Sequence, residues 1–400
     1  MGFFVPVPHP PRALVSGAGP TGCVAALALA AAGWRVVLHD PSPAHNLSQR
    51  ARAYALTHSS RRLLQSLGLW EGLLPQLQPF QSLVMSDRSA GAPDVLFTAA
   101  AAPVGWILDH RPLMELLLQR CRSAPRVQLH IGEGVAPTQP VNLRVHCEGG
   151  QSPARRDLGI RFLGWDYRQG CLTCQVQLEG AAPGTAWEVF RPEGPLAVLP
   201  LGDGRAQVVW SGALESCRQR QALAEGPFLE ALGAALPSGL RPSRLLESAA
   251  SFPVACRLAA RLARGTSLLC GESAHRCHPV GGQGLNLCLR DVAVLWQEAA
   301  AVAAGDRTLS GLPRRYARRR WADALFTLAA TDLLIRLFSN RWPPLLWLRQ
   351  LILRLLGQAA PLRALALAAA SQGLVPLGAL PRGVDSGTSR GEQSPLFRRA

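Results

Sequence analysis

The sequence predicts an α/β chain in which a Rossmann-like domain is joined to a mostly antiparallel β-sheet domain and a C-terminal helical region. Three observations carry this. Residues 12–40 read as strand, glycine turn, helix and strand. Residues 170–252 hold short alternating strands such as TCQVQL, LAVLPL and AQVVW. From Leu312 to about Gly378 the pattern is helical, with Leu325, Leu328, Leu333, Leu334 and Leu337 among its apolar positions.

Composition bounds the rest. A chain of 400 residues has room for two or three structural units. It is 48% hydrophobic and 17% charged, with 38 glycines and 32 prolines, which describes an ordered, loop-rich protein. The 42 basic side chains, all arginine, against 26 acidic ones leave a net charge of +16. Such a charge suits an acidic partner, either a phosphate-bearing cofactor or an anionic membrane surface. The arginines are scattered and no reading helix or base-stacking motif stands out, so nucleic acid is set aside. Ten irregularly spaced cysteines, several in apolar runs such as LLCGE, read as buried reduced thiols of a cytoplasmic protein. Cys171 and Cys174 form a lone CxxC without the second pair that zinc needs. Ala13 to Trp34 carries no charge, but Gly17, Gly19, Pro20 and Gly22 divide it into a strand and a helix rather than a membrane span. The N-terminus has neither the basic region nor the cleavage site of a signal peptide.

The first element is the strand Ala13 to Ser16. Gly17-x-Gly19-x-x-Gly22 follows, then an Ala/Leu helix ending at Gly33 and a second strand from Arg35 to His39. This order builds a dinucleotide site. Gly17 permits the tight turn, Gly19 lets a pyrophosphate approach the backbone, and Gly22 lets helix and strand pack closely. The helix N-terminus then faces the negative charge. Asp40 ends the second strand, where a carboxylate can accept hydrogen bonds from ribose hydroxyls.

The second dense stretch is GESAHRCHPVGGQGLN, after a buried strand from Ser267 to Cys270. It offers no nucleophile with a base, and no Cys/His/Asp set completes a metal site around His275 and His278. Its helix begins among glycines, presenting unpaired N–H groups to an electron-rich ring, with Asn286 and nearby backbone placed for the ring's polar edge. A flat ring lying against bare backbone needs no side-chain acid when the cofactor carries the chemistry. The stretch reads as a flavin cradle.

At this point the sequence resembles the flavin-dependent aromatic hydroxylases, and within them the ubiquinone-biosynthesis hydroxylases, from about residue 12 to residue 378. The likeness rests on GAGPTG, RAYALTHSSRRLLQSLGLW, WILDHRPLMELLL, FRPEGPLAVLPL, FPVACRLAARLARGTSLLCGESAHRCHPVGGQGLNLCLRD and TDLLIRLFSN, in that order. It implies a three-layer ββα FAD-binding domain, reduction by NAD(P)H, dioxygen as co-substrate and a prenylated aromatic substrate. It adds Arg52 and Arg111 as cofactor contacts, Glu148-Gly149 as the middle motif and Gly271-Glu272 as the last acidic motif. Where the family carries Asp-Gly and Gly-Asp, this chain has glutamate, one methylene longer. Gly281, Gly282, Gly284, Leu285 and Asn286 complete the implied cofactor set. Pro279 lies beside the reactive flavin edge in the resemblance, while His275, the other catalytic candidate, is largely structural there.

The implied division gives 12–80, 111–170 and 253–311 to the FAD-binding domain, 81–110 and 171–252 to the substrate domain, 312–380 to the helical region and 381–400 to a polar, disordered tail. Bland readings stand beside these. Arg52 and Arg111 can be members of structural ion pairs. Asp291 suits a helix-surface ion pair. Arg314 to Arg320 can be a solvated face or a membrane contact. The segment PPLLWLRQLILRLLGQ, with Arg349 and Arg354 breaking its apolar face, suits a helix packed on a domain or resting on a membrane. The expected place is the cytoplasm, peripheral at the inner face of a membrane and beside other quinone-biosynthesis enzymes. Two functional alternatives remain open: a related flavoprotein epoxidase or reductase acting on an isoprenoid chain, and a non-catalytic flavoprotein or scaffold.

Overall fold

The computed structural model describes residues 10–50, 52–89, 93–99, 102–135, 138–373 and 377–381. The tail from 382 to 400, expected to be disordered, lies outside the described residues.

Arg12–Ser16 pairs in parallel with Arg35–Asp40 on one side and Leu143–His146 on the other. Val127–Ile131 and Ser267–Leu269 extend this into a parallel sheet, with the short Ala263–Arg264 as its antiparallel edge. The helix Pro20–Ala31 crosses between its first two strands. It is buried on most of its surface, at Cys23, Val24, Ala25, Ala26, Ala28 and Leu29. That explains the absence of charge: a helix with neighbours on several sides has no solvent stripe to mark. It packs against His110–Ser123 and Gln283–Ala303. The Trp34 indole N–H donates to Ala299 O at 3.0 Å, fastening the turn after the first helix to the last of these.

The second body is an eight-stranded sheet, antiparallel except where Thr185–Phe190 runs parallel to Ser82–Asp87. Its two longest strands, Phe162–Glu179 and Arg241–Ala259, pair from Phe162↔Ala259 to Glu179↔Arg241 and form a spine joining the two bodies. One face, with Leu172, Cys174, Val176, Val208 and Trp210, closes over Phe228 and Leu232 of the helix Glu225–Ala235. The other face is more polar, with Thr173, Gln175, Glu188 and Ser211. A three-stranded sheet, Ala53–Leu56, Gly105–Asp109 and Leu77–Phe80, lies beside the cradle helix.

Three helices follow, Leu312–Phe338, Pro343–Gln358 and Ala360–Gln372. Arg349 does not simply interrupt an apolar face. It is fully buried and donates to Asp87 Oδ2 at 3.2 Å, Phe338 O at 3.1 Å and Asn340 O at 2.6 Å. Phe338 stacks on Phe190 of the eight-stranded sheet at 4.1 Å. The helical region is thus stapled to the sheet edge, whereas Leu325 and Leu333, expected in its apolar pattern, are solvent-exposed. Among the described residues no single helix is long and apolar enough to cross a membrane.

Candidate functional site: a glycine-lined cradle

Four segments far apart in sequence meet at one edge of the parallel sheet. A Cβ on Gly17 would lie 2.4 Å from Cys147 O, and one on Gly22 would lie 1.7 Å from Gly17 O. One on Gly271 would lie 2.9 Å from Thr21 Cγ2, and one on Gly282 would touch Ala55 at 3.0 Å. These glycines let backbones approach one another, and Gly17, Gly271 and Gly282 also need their positive φ of 95°, 69° and 63°. Gly19, Gly149, Gly281 and Gly284 differ. A Cβ on any of them would meet nothing within 4 Å. The glycines that face open space are therefore the ones a pyrophosphate and a flat ring would lie against. The helix Pro20–Ala31 opens onto the same space with no side-chain cap on its first N–H groups.

The side chains around this space divide by what they are free to do. Asp40 Oδ2 accepts from Ala18 N at 2.7 Å and Oδ1 from Ser42 N at 2.8 Å, so it braces the glycine turn and retains lone pairs for a ribose. Glu148 turns back on its own loop, accepting from Ser152 Oγ at 2.5 Å and Ala154 N at 3.1 Å. Burial pushes its carboxyl up, but His146 and these donors outweigh that and hold it below the usual range. Glu272 is exposed and has no donor among the described residues, and its charge acts on the Tyr54 hydroxyl together with that of Arg52. Tyr54 hydrogen-bonds His110 Nδ1 at 2.8 Å, and Arg52 lies 6.0 Å from the Phe252 ring of the eight-stranded sheet. Arg52 and Glu272 thus both lie near the Tyr54 hydroxyl. Arg111 is exposed at the start of His110–Ser123, where its charge acts on Glu247.

Asn286 is placed differently from its expected role. Its amide donates to Ala55 O at 2.7 Å and Gly282 O at 2.8 Å, and its oxygen accepts from Thr57 N at 3.0 Å and Ser60 Oγ at 2.6 Å. The side chain is a clasp between the cradle helix and the turn after Ala53–Leu56, with nothing left for a ring. Leu285, one residue earlier, is half-buried, as is Pro279. His278 is fully buried, accepts from Val280 N at 3.2 Å and packs edge-on against Tyr167 at 5.5 Å. Burial drives its pKa down to about 3, so the imidazole is neutral near neutral pH.

Asp291 overturns its surface reading. It is fully buried: Oδ2 accepts from Gly271 N at 2.8 Å and contacts His275 Nε2 at 2.7 Å, and Oδ1 accepts from Arg320 Nε at 2.6 Å. Arg320 continues to Asp323, and Asp323 to Arg290. His275 is therefore held by a buried ion-pair network. The run Arg314 to Arg320 is neither a plain solvated face nor a free membrane contact, since Arg315 and Arg319 clamp the buried Glu298 at 2.7 and 3.0 Å while Arg320 enters the core. Asp291, 29 residues away, and Asp323 together hold Arg320 there; the sequence signal was an aspartate beside an arginine on a mostly apolar helix.

Loops that bring bare backbone from three motifs to a helix N-terminus, with one unpartnered acid beside them, fit FAD. Residues 12–95 and 139–326 match the family model described as FAD binding domain. The chain is 34% identical to ubiquinone hydroxylase UbiL of Rhodospirillum rubrum, over 88% of this chain and 87% of that protein. It is 30% identical to the 3-demethoxyubiquinol 3-hydroxylase of Escherichia coli, over 90% and 98%. The chain belongs to the FAD-dependent aromatic hydroxylases. Its fold is that of p-nitrophenol 4-monooxygenase PnpA from Pseudomonas putida, with a TM-score of 0.73 at 18% identity over 90% of this chain and 96% of that one. As a member of this family it is an FAD-dependent monooxygenase of the ubiquinone-hydroxylase branch, with NAD(P)H as reductant.

Glu272 gives a first test of the cofactor placement. If it takes the ribityl contact, Glu272→Gln should weaken FAD binding tenfold or more through loss of a charge-assisted hydrogen bond. Glu272→Asp, which restores the family's residue, should stay within about threefold of the parent. Fluorescence titration of the apoprotein measures all three, and equal affinities would remove Glu272 from the site.

Proposed function

We propose that this hydroxylase oxygenates the aromatic ring of a prenylated phenol on the way to a quinone. The observation that carries the reading is the near full-length likeness to two ubiquinone-pathway hydroxylases, joined to a cradle whose open glycines suit FAD. FAD, when bound and reduced by NAD(P)H, supplies the activation of dioxygen. The chain's part is to bind and orient. Gly17, Gly19, Gly22 and Asp40 form the pyrophosphate and ribose end, with Gly149, Gly271 and Glu272 beside them. Arg52 and Arg111 flank the cleft, and Pro279, Gly281, Gly282, Gly284 and Leu285 form the ring end. His275 acts through the backbone it anchors, and Glu148 through its turn. The more polar face of the eight-stranded sheet roofs the ring end and excludes water. Supplying the purified protein with NADPH or NADH, labelled dioxygen and an ortho-prenylated phenol tests this. One labelled oxygen on the ring supports the reading; oxygen on the chain, or a saturated chain, would replace it.

The proposal includes a membrane surface as the source of so apolar a substrate. Trp347, Leu351 and Leu355 form an exposed i, i+4, i+8 stripe on Pro343–Gln358, and Leu362 and Leu365 are exposed on the next helix. Arg341 and Arg354 are exposed beside them. An apolar stripe flanked by arginine suits the interface of an anionic bilayer, with the helices lying in its plane. The protein should float with phosphatidylglycerol vesicles and less with phosphatidylcholine ones. The double change Trp347→Glu and Leu351→Glu should abolish flotation while FAD content is retained. Flotation unchanged by that double change would show that the contact is elsewhere.

A further inference from the structure

The polar face of the eight-stranded sheet can be read from its registers. Cys171↔Ser211, Thr173↔Val209, Val209↔Ala197, Ala197↔Glu188 and Glu188↔Met85 are cross-strand pairs, and paired residues point the same way. Ala186 and Phe190, two positions to either side of Glu188, share its face. Phe190 packs in one cluster with Val280 of the cradle, so this face is turned to the ring end. The backbone N–H of Gly281, one of the glycines whose Cβ side is open, acts on the Glu188 carboxyl directly.

Glu188 is only 8% exposed, and its situation differs from that of the other buried acids among the described residues. Asp87 is tied to Arg349, Asp291 to Arg320 and His275, Asp323 to Arg320 and Arg290, and Glu298 to Arg307, Arg315 and Arg319. Asp40 accepts two backbone N–H bonds. Glu188 has no cation and a single backbone N–H. A buried carboxylate without a cation is costly to a fold, and acids left so are found where chemistry uses them.

We propose that Glu188 is the base that takes the proton from the ring hydroxyl of the substrate. The phenol O–H bond breaks, its electron pair stays on oxygen, and the proton forms the O–H bond of the Glu188 carboxylic acid. Nothing is oxidised or reduced in this step. The phenolate makes the ring carbons ortho and para to it electron-rich, as an oxygen transfer to the ring requires. Burial, opposed by the Gly281 N–H, raises the carboxyl to about 7, closer to a phenol near ~10 than an ordinary glutamate is. On the same face the Cys171 thiol is held neutral, pushed by burial to about 12. On the adjoining strand Asp87 is closed off by Arg349. On the cradle side His278 is neutral near neutral pH.

This role rests on the phenol reading above, and one experiment separates the two. FAD-loaded wild type and Glu188→Gln are given an ortho-prenylated phenol and its O-methyl ether between about pH 5 and 9. Binding is read from flavin absorbance and turnover from hydroxylated product. The wild type should prefer the phenol to the ether, increasingly as pH rises through about 7. Glu188→Gln should keep its flavin, lose that pH-dependent preference and turn over roughly a hundredfold more slowly. Turnover within threefold of wild type with the same pH profile would overturn the role of Glu188 alone. A wild type that binds the phenol but hydroxylates no ring would overturn the phenol reading instead. If Glu188→Gln loses its flavin, Glu188→Asp takes its place: slower turnover with the acidic limb kept supports the base, and wild-type turnover overturns it.

Discussion

Gly19→Val is expected to give a folded protein that holds no FAD. The backbone at Gly19 has φ −67° and ψ −178°, which valine adopts, and a Cβ there meets nothing within 4 Å. The protein therefore loses nothing of its own. The added branches fill the space in which the pyrophosphate would meet the main chain, and overfilling such a contact costs at least ~1–3 kcal/mol, about fivefold to over a hundredfold in affinity. Gly22→Ala is the control with the opposite signature. Its Cβ would lie 1.7 Å from Gly17 O, so the turn itself must move and the melting temperature should fall. Flavin absorbance of the purified variants and thermal melts of their apoproteins separate the two effects. A yellow, fully loaded Gly19→Val would mean that the open glycine faces solvent and not the cofactor.

Asp291→Ala is expected to have the largest effect on stability. Removing it leaves Arg320 and His275 buried without their shared partner and Gly271 N–H without an acceptor. Breaking a buried ion pair from one side costs about 3–5 kcal/mol. Urea denaturation should show a loss of that order, and a midpoint unchanged from wild type would mean that water takes the carboxylate's place. The acid response follows from the same contacts. Burial pushes the Asp291 carboxyl up, but His275 and Arg320 outweigh it and hold it near about 2. A carboxyl depressed on folding stabilises above its unfolded value near ~3.9, and the contribution is lost as pH falls toward 2. The wild type should therefore lose stability between about pH 4 and 2 more steeply than Asp291→Asn, which has no such proton to gain.

The glycine-rich segments were legible because their meaning is local. Gly17-x-Gly19-x-x-Gly22 between two strands can serve few other purposes, and the chain forms Arg12–Ser16, Pro20–Ala31 and Arg35–Asp40 around it. Family membership was legible for a related reason, since each quoted run is contiguous and the runs come in order. The partners of charged side chains were not. Asp291 reads as an exposed ion-pair member until a helix 29 residues later delivers Arg320 to it. Arg349 reads as a break in an apolar stripe until Asp87, 262 residues earlier, is brought against it.

Asn286 and Glu188 mark the boundary most sharply. The sequence places Asn286 in the cradle, but only folding brings Ala55, Thr57 and Ser60 to exhaust its hydrogen bonds. Glu188 lies in an unremarkable strand, TAWEVF, and nothing nearby in sequence distinguishes it from a solvent-facing acid. Its environment comes from register across five strands and from Gly281, 93 positions away. The sequence by itself determined where backbone must be bare and which elements follow one another, because steric freedom and periodicity belong to neighbouring residues. Tertiary structure alone decided which carboxylates are neutralised and which are left unpaired. Burial and Coulomb partners depend on distances in space, and distant segments of chain set those only after folding.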